Sequence, residues 1–261
     1  MKFFDCYAYL GLIHSDPIER FRVIQEAKRA NVTHIVNICN TVHDFEQIYE
    51  SMSNIPQVLY AVGYAPGEAQ NLPSDWYARM EKAMSLKNIV AVGPVGLDYN
   101  KKIGNPKNQI DLFIKQLHIA RKFNKPVIIY DREAGEDIKN ILLQNAPSAG
   151  VIFHCYSESS DYAHTCLQDF DFPTFFSFAG NITFKNSREI HKTILQIPCE
   201  HILVESASPF LPPSLFTGVK NVPSHVFSVV EFIAELLNIE FEVCSNILYE
   251  NALRAFSIAN G

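Results

Sequence analysis

The chain has 261 residues, 48% apolar and 19% charged, with a formal net charge of −6. That is the balance of a globular protein with a sizeable core, and it excludes a broad basic surface of the kind that neutralises nucleic-acid phosphates. No run approaches the roughly 20 apolar residues that cross a bilayer, and the first residues lack the charged, apolar and small-residue succession of a signal peptide.

In chain order, short runs rich in Val, Ile and Phe alternate with longer amphipathic ones. The first strand-like run is KFFDCYAYL around Asp5, followed by a helical pattern over 16–30 with Pro17 placed for a first turn. Further strand-like runs end at Cys39, Tyr64 and Gly93, with a helix expected over 76–85 before the last of them. A helix over 107–123 carries Phe113, Gln116, Leu117 and Ala120 at helical spacing. Then come PVIIY ending at Tyr130, GVIFHC ending at Cys155, PTFFSFA ending at Ala179 and HILVE ending at Glu205, separated by helical patterns over 136–144, 161–168 and 188–195. A Pro-rich loop and helices over 224–237 and 241–256 close the chain. Strands without a solvated face, each followed by a helix, predict a single-domain (β/α)8 TIM barrel over 1–261, with an open doubly wound sheet as the alternative.

The six cysteines form no C-x-x-C pair and several sit in apolar runs, so they read as buried free thiols suited to a reducing cytosol. Arg121, Lys122 and Lys125 read as a solvated helix end. Phe175, Phe176, Phe178 and Phe184 read as core rather than a base-stacking platform, since no basic groove accompanies them. Gly93-x-x-Gly96 is too short for a nucleotide loop, and there is no G-x-S-x-G.

In a parallel barrel the chemistry sits where strands end. The segments there are GLDY at 96–99, KPVIIYDR at 125–132, FHCYS at 153–157, SFAGNITFKN at 177–186, ESASPFLPP at 205–213 and NVPSHV at 221–226, with Asn251 and Phe256 near the end of the chain. Together and in this order they resemble the TatD family of DNases, a branch of the amidohydrolase-like barrels. The resemblance implies metal-dependent phosphodiester hydrolysis by two divalent cations at the barrel mouth, where paired cations activate water and stabilise attacking and leaving oxygens. The family holds them with H-x-H on the first strand, a Glu on the fourth, a His on each of the fifth and sixth, and an Asp after the eighth.

Position by position, this chain departs from that set. Tyr7 and Tyr9 stand at the first-strand histidines, Pro94 at the glutamate, Tyr130 at the fifth-strand histidine and Ala207 at the aspartate; His154 alone is kept. Proline and alanine have no side-chain donor atom, and a phenol with a pKa of about 10 is a poor ligand at neutral pH. The expectation is therefore no bound cofactor. Loss of the carboxylates along with the histidines also removes anions that would otherwise stand uncompensated.

Asp5, Asp98, Arg132, His154 and Glu205 persist. With Tyr7, Tyr9 and Tyr130 they form the expected ligand-binding set at the mouth, and His154, Arg132 and Glu205 are the candidates for any catalysis. The plainer account is that these polar groups satisfy one another inside an inherited frame. The resulting expectation is a monomeric, cytoplasmic pseudo-hydrolase that binds a small molecule or a protein. Nucleic acid is possible by family but unsupported by charge, and no membrane is involved. The alternative is a divergent hydrolase acting on phosphodiesters with a weak or partner-completed site.

Overall fold

The computed structural model describes residues 1–100 and 104–259. Eight strands are hydrogen-bonded in sequence order, each parallel to the next: β1 (Phe3–Ala8), β2 (Val32–Cys39), β3 (Val58–Val62), β4 (Ile89–Asp98), β5 (Val127–Arg132), β6 (Val151–Phe153), β7 (Thr174–Phe178) and β8 (Ile202–Val204). The ends of β1 and β8 meet through a parallel bridge between Ala8 and Ser208, with the Tyr9 N–H donating to the Ser208 carbonyl at 2.8 Å, so the barrel is nearly closed. The expected TIM barrel stands.

The helices are α1 (Leu10–Ile13), α2 (Pro17–Arg29), α3 (Val42–Met52), α4 (Trp76–Met84), α5 (Pro106–Lys122), α6 (Gly135–Asn145), α7 (Ser160–Asp169), α8 (Arg188–Gln196), α9 (Val226–Leu237) and α10 (Phe241–Ala255). The α2 start follows its sequence signal: the Asp16 side chain accepts from the Ile18 N–H, and Pro17 occupies the first turn. Helix α3 is not among the expected ones. Its buried Val42, Phe45 and Met52 recur at helical spacing, and Thr41 caps its start by accepting from the Asp44 N–H. Strand β4 runs five residues past its expected end at Gly93, through Pro94 to Asp98, with a register shift against β5 between Val92 and Val95. Proline lacks a ladder N–H, and the irregular pairing accommodates it.

Strand residues alternate between two cores. Phe4, Val36, Ile38, Leu59, Ala61, Ile128, Ile152, Phe175 and Leu203 belong to an inner cluster, completed by Leu253 and Phe256 of the C-terminal segment. The Phe4 and Phe256 rings stack at 5.5 Å, which plugs the end of the barrel where strands begin. The neighbouring strand positions, such as Ile35, Tyr60, Ile129, Phe153, Phe176 and Val204, pack outward against the helices. Phe175, Phe176 and Phe178 are thus core, as expected, and Phe184 is half-buried.

Helix α5 anchors the strand ends. Gln116 clasps Tyr64, accepting from its N–H at 2.7 Å and donating to its carbonyl at 2.9 Å; Gln109 does the same to Asp98 at 2.9 and 3.2 Å. The two glutamines are two turns apart on one buried face, so one helix fixes the ends of β3 and β4 together. With one end plugged, the other is left as the mouth.

Candidate functional site

A cavity of ≈ 580 Å³ opens at the mouth, lined by Tyr9, Tyr130, Asp131, Arg132, His154, Cys155, Ser157, Ala207, Phe210 and Leu211. Of the expected ligand-binding set it brings together Tyr9, Tyr130, Arg132 and His154. The others lie behind its wall. Tyr7 is 1% exposed and stacks on the His154 imidazole, ring centroids 3.5 Å apart. Its hydroxyl shares a 2.6 Å hydrogen bond with that of Tyr9. The two first-strand tyrosines therefore fill space in different ways: Tyr7 as buried packing, Tyr9 as cavity wall.

Asp5 is fully buried and turned towards the chain after β8. Its carboxylate accepts from the Ser206 N–H at 2.7 Å, from the Ser206 hydroxyl at 2.6 Å and from the Tyr7 N–H at 3.3 Å. Burial pushes its pKa up to about 7 against the opposing pull of those hydrogen bonds. Asp98 is buried at the end of β4 and accepts from the Tyr130 hydroxyl at 3.4 Å. The Arg132 guanidinium lies close enough to that hydroxyl to interact with it, so Arg132, Tyr130 and Asp98 stand together along one wall.

Beneath the cavity, His154 Nδ1 lies 2.7 Å from Glu205 Oε1. Neither atom makes a well-directed hydrogen bond, so the approach is an oblique polar contact. The other Glu205 oxygen accepts from the Cys155 N–H at 3.4 Å. The three candidates for catalysis are therefore not one constellation: His154 and Glu205 are paired, while Arg132 belongs to the tyrosine wall.

Asp131, Cys155, Ser157, Phe210 and Leu211 line the cavity without having been expected there. Asp131 follows Tyr130 directly within β5, and its side chain turns towards the start of α6, accepting from the Ala134 N–H at 3.3 Å. Its Oδ2 is buried and unpartnered, and burial pushes its pKa to about 7. Phe210 and Leu211 come from the loop after β8, held by Asn221, whose side-chain amide donates to the carbonyls of Ser206 at 2.7 Å and Phe210 at 2.6 Å. Cys155, Ala207 and Leu211 all adopt left-handed φ, at 45°, 53° and 49°. Non-glycine residues in that region store strain that surrounding structure must hold, and such residues cluster at functional sites.

The donor chemistry of the mouth does not fit a pair of cations held as the family holds them. Pro94 and Ala207 offer no side-chain donor. Burial raises the Tyr7 pKa well above the ordinary phenol value and that of Tyr9 to about 12, which keeps both neutral at physiological pH. Among the described residues, no three His, Cys, Asp or Glu side chains converge as a metal-ligand group.

The family model for TatD related DNase matches residues 13–257. The uncharacterized metal-dependent hydrolase YabD of Bacillus subtilis is 33% identical over 256 residues, covering 98% of this chain and 99% of the relative. The uncharacterized metal-dependent hydrolase MG009 of Mycoplasma genitalium is 30% identical, with 98% and 99% covered. The crystal structure of the TatD homolog YJJV from Escherichia coli K12 superposes with a TM-score of 0.88 at 22% identity, covering 98% of each chain, and so shares the fold. These relatives correct one expectation. They are named metal-dependent hydrolases, which implies divalent metal cofactors, and the inference of no cofactor from the missing ligands does not stand against them. The missing ligands change what the mouth offers a metal, not the descent of the fold, and the chain belongs to the TatD-related DNase family.

Proposed function

We propose that this TatD-family barrel is an impaired hydrolase whose mouth serves to bind a small molecule. The observation that carries the reading is the ≈ 580 Å³ cavity itself, which persists although five of the six family ligand positions hold other residues and only His154 is kept. Pockets of this volume, largely apolar with a few placed polar groups, are the usual form of small-molecule sites. Here the walls are Tyr9, Tyr130, Phe210 and Leu211, and the polar groups are Arg132, His154 and Asp131. A small molecule suits this enclosure better than nucleic acid, since the chain carries a net charge of −6. Monomeric action in a reducing compartment completes the proposal; the compartment is supported by six free thiols. No helix among the described residues is long and apolar enough to cross a membrane.

A second reading, a divergent phosphodiester hydrolase with a non-standard or partner-completed site, is favoured by the His154–Glu205 contact and by the names of the relatives. One experiment separates them: phosphodiesterase and DNase assays with Mg²⁺, Mn²⁺ or Zn²⁺ supplied, on the native chain and on His154→Ala. The binding reading expects no turnover that depends on His154. Turnover by the native chain that is lost in His154→Ala overturns it in favour of the hydrolase.

A further inference from the structure

Tyr9 stands between two cavities. Besides the mouth it lines a smaller one of ≈ 180 Å³, set between the ends of β1 and β2 and the first turns of α3, and it is the residue that the two linings share. On its far side Leu12, Ile38 and Ile48 form apolar walls, and Gly11 leaves the space beside Ile48 free of a side chain. Asp44 and Gln47 are exposed at the outer rim. The Tyr9 ring is held in place from several directions. Its hydroxyl shares the 2.6 Å hydrogen bond with that of Tyr7, which is itself buried against the His154 imidazole. The Asn40 side chain lies close enough to the same hydroxyl to interact with it. The ring meets those of Tyr7 and Phe210 edge-on, with centroids 5.2 and 6.0 Å apart. The backbone is fixed as well: the Tyr9 N–H donates to the Ser208 carbonyl at 2.8 Å, and the Tyr9 carbonyl accepts from the Leu12 and Ile13 N–H groups at 3.0 and 3.1 Å.

We propose that Tyr9 is a specificity-determining residue of the mouth: its ring ends the site on the side of β2 and so excludes ligands with an apolar extension towards Leu12, Ile38 and Ile48. The inference rests on the reading of the mouth as a small-molecule site. The ring carries the partition, because Tyr9 alone faces both spaces. The hydroxyl anchors the ring at its tip to a buried partner, so the wall is stiff rather than yielding. The excluded volume corresponds to roughly six liquid-water volumes of about 30 Å³ each, which holds the chain difference between butanol and octanol.

The test is NMR of the isotopically labelled full chain titrated with n-alkanols from butanol to octanol, in the native chain, Tyr9→Phe and Tyr9→Ala. In the native chain saturable shifts are expected at the mouth amides of His154, Ala207 and Phe210, and the methyl groups of Leu12, Ile38 and Ile48 should not move with them. Tyr9→Phe keeps the ring and should leave this pattern unchanged. Tyr9→Ala removes the ring without loss of a helix cap, since the Tyr9 side chain caps no N–H of α1. In that variant octanol should shift Leu12, Ile38 and Ile48 on the same saturation curve as the mouth residues. The ratio of octanol to butanol affinity should exceed the native ratio by about tenfold or more, each buried methylene being worth roughly fourfold. Tyr9→Val, a smaller excision, carries the same expectation if Tyr9→Ala does not fold. The proposal fails if octanol moves Leu12, Ile38 and Ile48 together with the mouth residues in the native chain, or if the affinity ratio is the same with and without the ring. Mouth binding with an unchanged ratio overturns this inference alone, whereas no saturable mouth response in any of the chains overturns the reading of the mouth and the inference with it.

Discussion

Replacement of Asp5 by Asn should flatten the dependence of stability on pH. Asp5 is 0% exposed, and burial raises its pKa from an ordinary 3.8 to about 7 in the folded chain. Below pH 3.8 both folded and unfolded chains hold the proton, and Asp5 contributes no pH dependence. Between 3.8 and 7 the unfolded chain releases it while the folded chain retains it, so stability falls as pH rises, by about 1.4 kcal/mol per unit. Above 7 both are ionised and the full loss, on the order of 4 kcal/mol, persists. Between pH 5 and pH 8 the native chain should therefore lose roughly 3 kcal/mol from this group. Asn cannot ionise, yet its carbonyl can still accept from the Ser206 N–H, and Ser206 Oγ can accept from its amide. Urea unfolding of both chains at the two pH values isolates the effect, because every other titrating group is common to both. A relative shift of about 3 kcal/mol in favour of Asp5→Asn at the higher pH is expected. Identical pH dependence in the two chains would refute the argument that Asp5 is held protonated by burial.

Gly96→Ala should be severely destabilising. Gly96 has φ +138°, and a Cβ there would lie 2.1 Å from the Tyr130 carbonyl oxygen, a backbone atom held in the β4–β5 ladder. A loss above about 3 kcal/mol is expected from thermal or urea unfolding; a near-native midpoint would show that the two strands can part at the mouth. Cys155 lines the cavity, but burial pushes its thiol far above the usual range, with the Glu205 charge adding to the effect. In the folded chain at pH 8 it should resist iodoacetamide, since the thiolate is the reactive form. Peptide mass spectrometry after brief treatment checks this, and rapid alkylation at Cys155 would contradict it.

Much of the fold was legible because local patterns carry it. Runs such as PVIIY and HILVE declare strands buried on both faces, and the order of strand and helix leaves few architectures. The failures have local causes too. Helix α3 gives only a weak sequence signal although Val42, Phe45 and Met52 keep helical spacing, because polar residues dominate the stretch between them. Gly93 and Pro94 signal the end of β4, because glycine and proline ordinarily punctuate; the irregular pairing at Val92–Val95 lets the strand continue to Asp98.

The sequence by itself determined which metal donors the mouth lacks. Proline and alanine carry none wherever they are placed, so the identities of Pro94 and Ala207 suffice. It also determined the family, through motifs in register along nearly the whole chain. Tertiary structure alone decided which groups meet. Asp5 could have faced the mouth, yet it binds Ser206, 201 residues away, because closure of the barrel brings β1 against the chain following β8. Tyr7 and Tyr9 look equivalent as residues, yet one is packed beneath His154 and the other divides two cavities. Residue type sets what chemistry a side chain can perform, whereas its partners depend on contacts between distant segments, which no local pattern encodes.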